Sequence, residues 1–461
     1  MELKIKNKNL FLIAVLLMGT GTQFFNYGCN TAMTPLLKEI NGYHLYSLAA
    51  ALGSTGMMVA LPAVGALGGK TGRRNIIVIG ALIMLVCMVG TYFTYDPYVF
   101  MVLRFLSSLG SGLVMSAPFS IIGTVWERGQ AMKYYGFIST FNAIGALCGP
   151  LAARALVDAG LGRIPFFLWV PFYVFAVVVI CMAYPNVKQE TGSKFDVLGL
   201  VYLACTVVPL ILWLGLSGDG KPLAWAGPGL ILPLIVIVFA ALLMKHSAKL
   251  AHPTVPFRMF KQKRFRTAFF INMLVVCFST VTSGYVLNYI LYSMNRSTTM
   301  GSTSTMPMNI VLVICGLFMG SILKKNFVKN VRTMMLIGTV ALLAGLSCYS
   351  LLKPDSPMLL VWIGSAIGGL GNSMNQTCMT PFFQYGLPKE DFAAAQGMYQ
   401  FSSTGMASIF VPFVGVFFNM TGSIKPVFYI ATILAAVNVL LVFFFVKITK
   451  EDEAEAEKKS A

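Results

Sequence analysis

The stretch Gly65-Ala66-Leu67-Gly68-Gly69-Lys70-Thr71-Gly72-Arg73-Arg74 decides how this sequence folds. It joins two apolar runs, 47–68 and 76–94, through a short segment rich in glycine and basic residues. Each run has about the 20 residues that a helix needs to cross a hydrocarbon layer about 30 Å thick. Glycine permits a tight turn, and Lys and Arg collect on the cytoplasmic side of a membrane. We therefore expect a hairpin of two transmembrane helices whose turn lies in the cytoplasm.

The same pattern extends along the whole chain. Of its 461 residues 57% are hydrophobic and 11% are charged, against about 25% charged in a soluble domain. About fourteen apolar runs of roughly 16 to 28 residues are each long enough to span a bilayer. Spanning helices satisfy their own backbone hydrogen bonds, so the composition predicts an all-α polytopic membrane protein and excludes a soluble globular one. The nine cysteines show no metal-ligand spacing, and we expect no metal and no cofactor.

The basic residues predict the orientation. With the N-terminus inside, most of the 34 Lys and Arg residues fall in cytoplasmic loops. The sequence thus predicts a multi-pass protein of the cell membrane with both termini in the cytoplasm. The net charge of +18 is a topology signal and does not indicate nucleic-acid binding.

The two halves of the sequence resemble each other. An offset of 258 residues aligns Tyr27 and Asn30 with Tyr285 and Asn288, and Gly80 with Gly338. This repeat pairs six helices with six and leaves two between them. We therefore predict an N-terminal six-helix bundle over residues 1–187, an inserted helix pair over 188–250, a C-terminal six-helix bundle over 251–450 and a charged cytoplasmic tail over 451–461.

The segment 65–74 resembles the signature loop of the major facilitator superfamily, although Gly69 stands where that family usually has Asp. In helix five the spacing of Gly136, Gly145, Gly149 and Pro150 is similar to the antiporter motif of the same family. Together with the helix count, these motifs resemble the fourteen-helix drug:proton antiporter branch. The resemblance implies a gating role for six loop residues: Gly65, Gly69, Lys70, Gly72, Arg73 and Arg74.

Charged residues are scarce inside the predicted spans. Arg104 is the one basic residue well within a span, where a charge costs at least about 2.5 kcal/mol unless it faces a cavity or a polar partner. It could contact substrate, or it could bind carbonyls of a neighbouring helix. No Asp, Glu or His lies in mid-span, which disfavours lipophilic cations as substrates. Glu127 and Asp158, at helix ends, remain as coupling candidates, although Arg154 could simply pair with Asp158 at i,i+4.

Amide side chains supply a candidate substrate site. Amides in spans must face the interior of a bundle, because lipid would leave them unpaired. Hydrogen bonding between helices explains each amide as well as substrate contact does. The candidates, together with Arg104, are Asn26, Asn30, Asn142, Asn272, Asn288, Asn375, Gln376 and Gln400.

The sequence therefore predicts a secondary transporter of small amphipathic organic solutes that works by alternating access and is not an enzyme. Proton-coupled export follows from the antiporter motif. The alternative is proton-coupled uptake of an organic anion, bile-acid-like in character, with Arg104 as counter-charge. The expected partners are a small-molecule substrate, protons and the lipid bilayer, and the family resemblance implies a monomer.

Overall fold

The computed structural model describes residues 8–184, 186, 196–218, 227–250, 253–296, 300–301, 303–325, 327–385, 387–388 and 391–447. Within these ranges the chain is helical and contains no β-strand, which confirms the predicted all-α class. The described residues form fifteen α-helices, numbered in chain order: α1 Lys8–Glu39, α2 Tyr46–Thr71, α3 Arg73–Phe93, α4 Pro97–Val125, α5 Arg128–Asp158, α6 Ile164–Phe167, α7 Val170–Ala183, α8 Val197–Gly218, α9 Ile231–Lys249, α10 Lys263–Thr280, α11 Met306–Lys325, α12 Phe327–Ser350, α13 Met358–Gln384, α14 Phe392–Thr421 and α15 Lys425–Phe445.

Eleven helical segments of the described residues are long and apolar enough to cross a membrane. One of them, Ile164–Ala183, comprises both α6 and α7. The predicted total of fourteen needs α2, α13 and α14 as well, and it stays a prediction. The protein is thus a multi-pass membrane protein built entirely from helices over the part that the structure describes.

Two predicted helices are interrupted. The run 164–184 is split into α6 and α7, and a proline in the first turn of α7 suits a new helix start, where its missing N–H is not needed. The run 267–292 is α-helical only to Thr280 and continues as two π-helical segments, Val281–Val286 and Tyr289–Ser293. Widened turns of this kind are rare and occur often at functional sites.

The described chain forms two compact units, each made of several segments. Unit 1 comprises Met1–Val125, Phe141–Arg258 and Asp391–Thr404, and unit 2 comprises Trp126–Thr140, Met259–Glu390 and Gly405–Ala461. The predicted boundaries at 187, 250 and 450 remain a prediction.

Glycines set the close helix packing within unit 1. A Cβ added at Gly110 of α4 would lie 2.8 Å from the carbonyl oxygen of Gly80 on α3, and one at Gly112 would lie 2.8 Å from Ala60 on α2. Real Cβ atoms do not approach so closely, so any side chain here would force the helices apart. The helices α2, α3 and α4 therefore pack backbone against backbone.

A buried carboxylate ties α8 and α9 to the segment that follows them. Asp196, 7% exposed, accepts hydrogen bonds from the Gly199 N–H at 2.7 Å, the Thr254 N–H at 3.0 Å and His246 Nε2 at 2.6 Å. Burial alone would raise the pKa of this carboxyl, but the hydrogen bonds from Thr254, His246 and Gly199 outweigh burial and hold the pKa below its ordinary value. One side chain thus caps α8 and anchors the end of α9.

At the other end of unit 1 an arginine joins three segments. Arg163 donates from Nη1 to the carbonyl oxygens of Tyr92 at 2.9 Å and Thr94 at 2.6 Å, and from Nε to Glu39 at 2.9 Å. Its guanidinium also lies 4.0 Å from the ring centre of Tyr95. The end of α3 and the end of α1 are therefore held to the turn before α6.

Unit 2 repeats the glycine packing of unit 1. Gly371 of α13 meets the carbonyl oxygen of Gly338 on α12, and a Cβ at Gly345 would lie 2.7 Å from the carbonyl oxygen of Gly364. The crossing of α12 and α13 thus resembles that of α3 and α4. Helix α13 is the central helix of this unit and packs against α10, α11 and α12.

Candidate functional site

One face of α1 in unit 1 is polar and accessible. Its positions recur at helical spacing: Gln23, Asn26, Tyr27, Asn30, Thr31 and Thr34 are all accessible. The opposite face, with Phe25, Cys29 and Ala32, is buried. Amides are costly to expose to hydrocarbon, so a polar accessible stripe within a spanning helix indicates a face that is turned away from lipid.

Arg104 lies behind this stripe. It is 5% exposed, and its Nη2 donates to Asn30 Oδ1 at 2.5 Å. A Cβ added at Gly53 of α2 would lie 2.6 Å from the same nitrogen, so the guanidinium rests on bare α2 backbone. Its Nε is buried and has no hydrogen-bond partner in the described part of the chain. Arg104 therefore has the polar partner that its position requires, and that partner is Asn30.

The two asparagines of the stripe are each held in one orientation. Asn26 Nδ2 donates to Ser111 Oγ of α4 at 2.7 Å, and Asn30 Oδ1 accepts from Arg104. These bonds leave Asn26 Oδ1 as an acceptor and Asn30 Nδ2 as a donor, one helical turn apart. The wall built by α1 and α4 thus presents uncharged hydrogen-bonding groups.

Unit 2 carries a second polar cluster, on α10 and α13. Gln376 is exposed, and its Nε2 donates to Asn372 Oδ1 at 3.2 Å. Asn372, 3% exposed, donates in turn to Ser279 Oγ at 2.9 Å. Asn375 is fully buried and donates to the Gly371 carbonyl oxygen of its own helix, so it serves helix packing.

The other predicted amides are divided among several places. Asn288 is exposed beside the π-helical turns, whereas Asn272 is 6% exposed. Gln400 is half-buried in unit 1. Asn142 of α5 packs on α1, where a Cβ at Gly19 would lie 2.6 Å from its Oδ1. Within unit 1 the structure thus brings together Asn26, Asn30 and Arg104, whereas Asn272 and Asn288 belong to unit 2.

The glycine motif of α5 has two packing partners. In unit 1, Gly145 meets the carbonyl oxygen of Thr20, and a Cβ at Gly149 would lie 2.6 Å from that of Phe24. In unit 2, Gly136 meets the carbonyl oxygen of Gly316 on α11. Pro150 lies within α5, which continues past it to Asp158. The motif therefore provides the close helix crossings that its spacing predicts.

The signature loop is described only in part. Its backbone belongs to the end of α2 and the start of α3, but the side chains at 65–70 and 73, including Gly65, Gly69, Lys70 and Arg73, lie outside the described residues. Gly72 has a φ of +87°, and Asn186 packs directly on its Cα and donates to the Thr71 carbonyl oxygen at 3.1 Å. Arg74 Nη1 contacts the Cys181 carbonyl oxygen at 3.4 Å. The segment after α7 thus holds this turn, and the sequence contained no signal for Asn186.

The coupling candidates lie at helix ends. Asp158 accepts from Arg154 Nε at 2.9 Å, and both side chains are more than half exposed, which confirms the i,i+4 pair. Glu127 is exposed just before α5. Among the described residues, no group of three or more His, Cys, Asp or Glu side chains could hold a metal ion.

Comparison with known proteins identifies the family. Residues 15–409 match the profile of the Major Facilitator Superfamily, and the chain belongs to that family of transporters. Multidrug transporter protein MdtP of Bacillus subtilis is 23% identical over 379 residues, covering 80% of this chain and 68% of that protein. Lincomycin resistance protein LmrB of the same organism is 24% identical over 60% of this chain and 57% of its own length.

Two further proteins extend this comparison. Riboflavin transporter RibZ of Clostridioides difficile is 22% identical over 67% of this chain and 65% of its own length. The crystal structure of the human organic anion transporter MFSD10 matches with a TM-score of 0.65 at 11% identity, over 95% of this chain and 100% of that one. At this identity the structural match shows the fold alone.

Proposed function

We propose that this transporter exports small amphipathic organic solutes by alternating access, driven by inward movement of protons. The accessible stripe on α1 carries the proposal, because Asn26 and Asn30 present uncharged donors and acceptors there and have their orientations fixed from behind. Such a surface can hydrogen-bond many solutes without demanding a charge. The similarity to a multidrug transporter and to a lincomycin resistance protein favours export.

The same proposal includes the features that the family resemblance implies. These are membership in the fourteen-helix drug:proton antiporter branch, cytoplasmic termini and a monomer. The described helices α8 and α9, joined through Asp196, support an inserted pair between two six-helix bundles. Glu127 is the better coupling candidate, since the Asp158 carboxylate is paired with Arg154.

Flux in sealed proteoliposomes tests this function. We would follow uncharged riboflavin, the cation ethidium and the anion taurocholate under imposed pH gradients of both signs. Export requires substrate to accumulate on the side from which protons leave. Asn30→Leu should reduce this flux strongly, whereas Gln130→Leu, an exposed amide in the first turn of α5, should leave it near wild type. Flux that does not depend on the pH gradient, or equal flux in Asn30→Leu and Gln130→Leu, would contradict the proposal.

Proton-coupled uptake of an organic anion is the second candidate. It is favoured by Arg104, whose charge lies among neutral side chains and whose buried Nε has no described partner. Under this alternative taurocholate would move in the same direction as protons. Arg104→Lys, which keeps the charge but loses the planar fork, would then retain more taurocholate flux than Arg104→Gln.

A further inference from the structure

The connection between α9 and α10 is strongly basic. Residues 245–266 contain seven Lys and Arg residues and no Asp or Glu. Because this segment leaves one spanning helix and enters the next, it lies at one face of the membrane. Arg264 donates to a backbone carbonyl oxygen, whereas Lys261, Lys263 and Arg266 are exposed and form no ion pair within the described part of the chain. These three charges are therefore available to an anionic partner.

Two of these cations lie at the end of an apolar face of α10. Lys263, Arg266 and Phe270 are spaced three and four residues apart, so they lie within about 60° of one another around the helix axis. Phe270 is 49% exposed within a spanning helix, while Ser279, the polar contact of Asn372, lies about 180° away from it. The face with Phe270 is therefore the one that meets lipid, and the two cations lie at the level of the headgroups.

Aromatic packing within unit 2 fixes the backbone that carries the three cations. The ring of Phe260, in the turn before α10, lies 5.5 Å from that of Phe265 and 4.8 Å from that of Phe269, measured between ring centres. Phe265 is fully buried and meets the ring of Phe383 on α13 at 5.9 Å. A fixed backbone lowers the entropy that is lost when the cations bind a partner.

The first turn of α10 also favours a phosphate group. This turn contains no acidic residue, and Gln262 at the N-cap forms no capping hydrogen bond through its side chain. The first N–H groups of a helix have no partners within the helix and carry partial positive charge. The start of α10 thus adds its own attraction for an anion to that of Lys263 and Arg266.

We propose that Lys261, Lys263 and Arg266 form a binding surface for the headgroup of an anionic phospholipid, whose acyl chains lie along the face with Phe270. The phosphate meets the cations, and the exposed ring meets the chains. A free phosphate ion would gain nothing from the apolar face, and the ammonium group of a zwitterionic lipid would be repelled by the cations. The inference depends on membrane insertion and is independent of the transported solute.

The test compares two lipids that have the same acyl chains and different headgroups. Native mass spectrometry of the full-length protein in a nonionic detergent measures the affinities of phosphatidylglycerol, which is anionic, and of phosphatidylcholine, which is zwitterionic. Each Lys or Arg near a membrane surface favours anionic lipid about fivefold. The wild type should therefore bind phosphatidylglycerol at least about twentyfold more tightly than phosphatidylcholine.

Variants assign this preference to the proposed surface. In the double variant Lys263→Gln/Arg266→Gln the ratio of the two affinities should fall at least about tenfold, because two cations are lost. Arg296→Gln/Lys353→Gln removes the same charge from exposed positions elsewhere in unit 2 and should keep the wild-type ratio. Lys263→Arg/Arg266→Lys retains both charges and should also keep it.

Three outcomes would overturn the inference. Equal affinities of the wild type for the two lipids would show that there is no such surface. An equal change of the ratio in the two charge-removing variants would show that only net charge matters. Displacement of phosphatidylglycerol by excess inorganic phosphate would show a site for a free anion. Flux in proteoliposomes is a separate measurement, and its failure would refute the proposed function without affecting the lipid surface.

Discussion

Asp196 is the buried charge on which the joint between α8, α9 and the following segment depends. Asp196→Asn keeps the size of the side chain but replaces one acceptor oxygen by an NH2 group. That group must face one of the present donors, which are two backbone N–H groups and His246 Nε2. One buried donor is left unsatisfied at about 1–3 kcal/mol, and the bond to His246 loses the strength that the charge contributes, about another 1–1.5 kcal/mol. We expect a loss of about 3 kcal/mol in the free energy of unfolding.

The matched control is Asp158→Asn. Asp158 forms an exposed i,i+4 pair with Arg154, which is worth about 0.3–0.5 kcal/mol. The two variants make the same chemical change at a buried and at an exposed site. Denaturant-induced unfolding in detergent micelles, followed by tryptophan fluorescence at pH 7, measures both. If Asp196→Asn cost no more than Asp158→Asn, the assigned role of this carboxylate would be wrong.

The lowered pKa of Asp196 also predicts a pH dependence. A depressed carboxyl pKa contributes stability that is fully present above the ordinary value of about 4 and is lost as the pH falls through the folded-state pKa. The stability difference between the wild type and Asp196→Asn should therefore shrink below about pH 4. A difference that grows on acidification would refute this assignment.

Three other substitutions probe the packing. Gly145→Val should crowd the crossing of α5 and α1 and lower the free energy of unfolding by about 1–3 kcal/mol, as measured by thermal unfolding. Gly162→Val, where the nearest neighbour of an added Cβ is 3.9 Å away, should lower it much less. Gly72→Ala should destabilise by at least about 1 kcal/mol, because Gly72 has positive φ and its Cα is covered by a side chain; unchanged unfolding would contradict this. Arg163→Lys loses the guanidinium that binds two carbonyl oxygens through Nη1 and Glu39 through Nε. It should accelerate trypsin cleavage of folded protein in detergent, an effect that Arg154→Lys at an exposed pair should not show.

Much of the fold could be predicted because membrane insertion depends on local composition. A span needs about 20 apolar residues wherever it lies in the chain, so the all-helical, membrane-spanning class could be predicted from the sequence. Close helix crossings need small residues, so the spacing of Gly145 and Gly149 was informative before any neighbour was known. The sequence did not predict the break at 168–169 or the π-helical turns within 281–293. Hydropathy depends only on composition, so it does not distinguish a continuous α-helix from one that is broken or contains π-helical turns.

The sequence predicted which types of residue form the candidate site, but it did not predict the role of each residue. The sequence alone determined that this is an all-helical membrane protein with transporter motifs, few intramembrane charges and a set of candidate amides. The tertiary structure alone decided that Arg104 supports Asn30, 74 positions away, and that Ser279 supports Asn372, 93 positions away. Those partners depend on how helices rotate and cross, which is set by packing summed over whole helices and is not encoded at either residue.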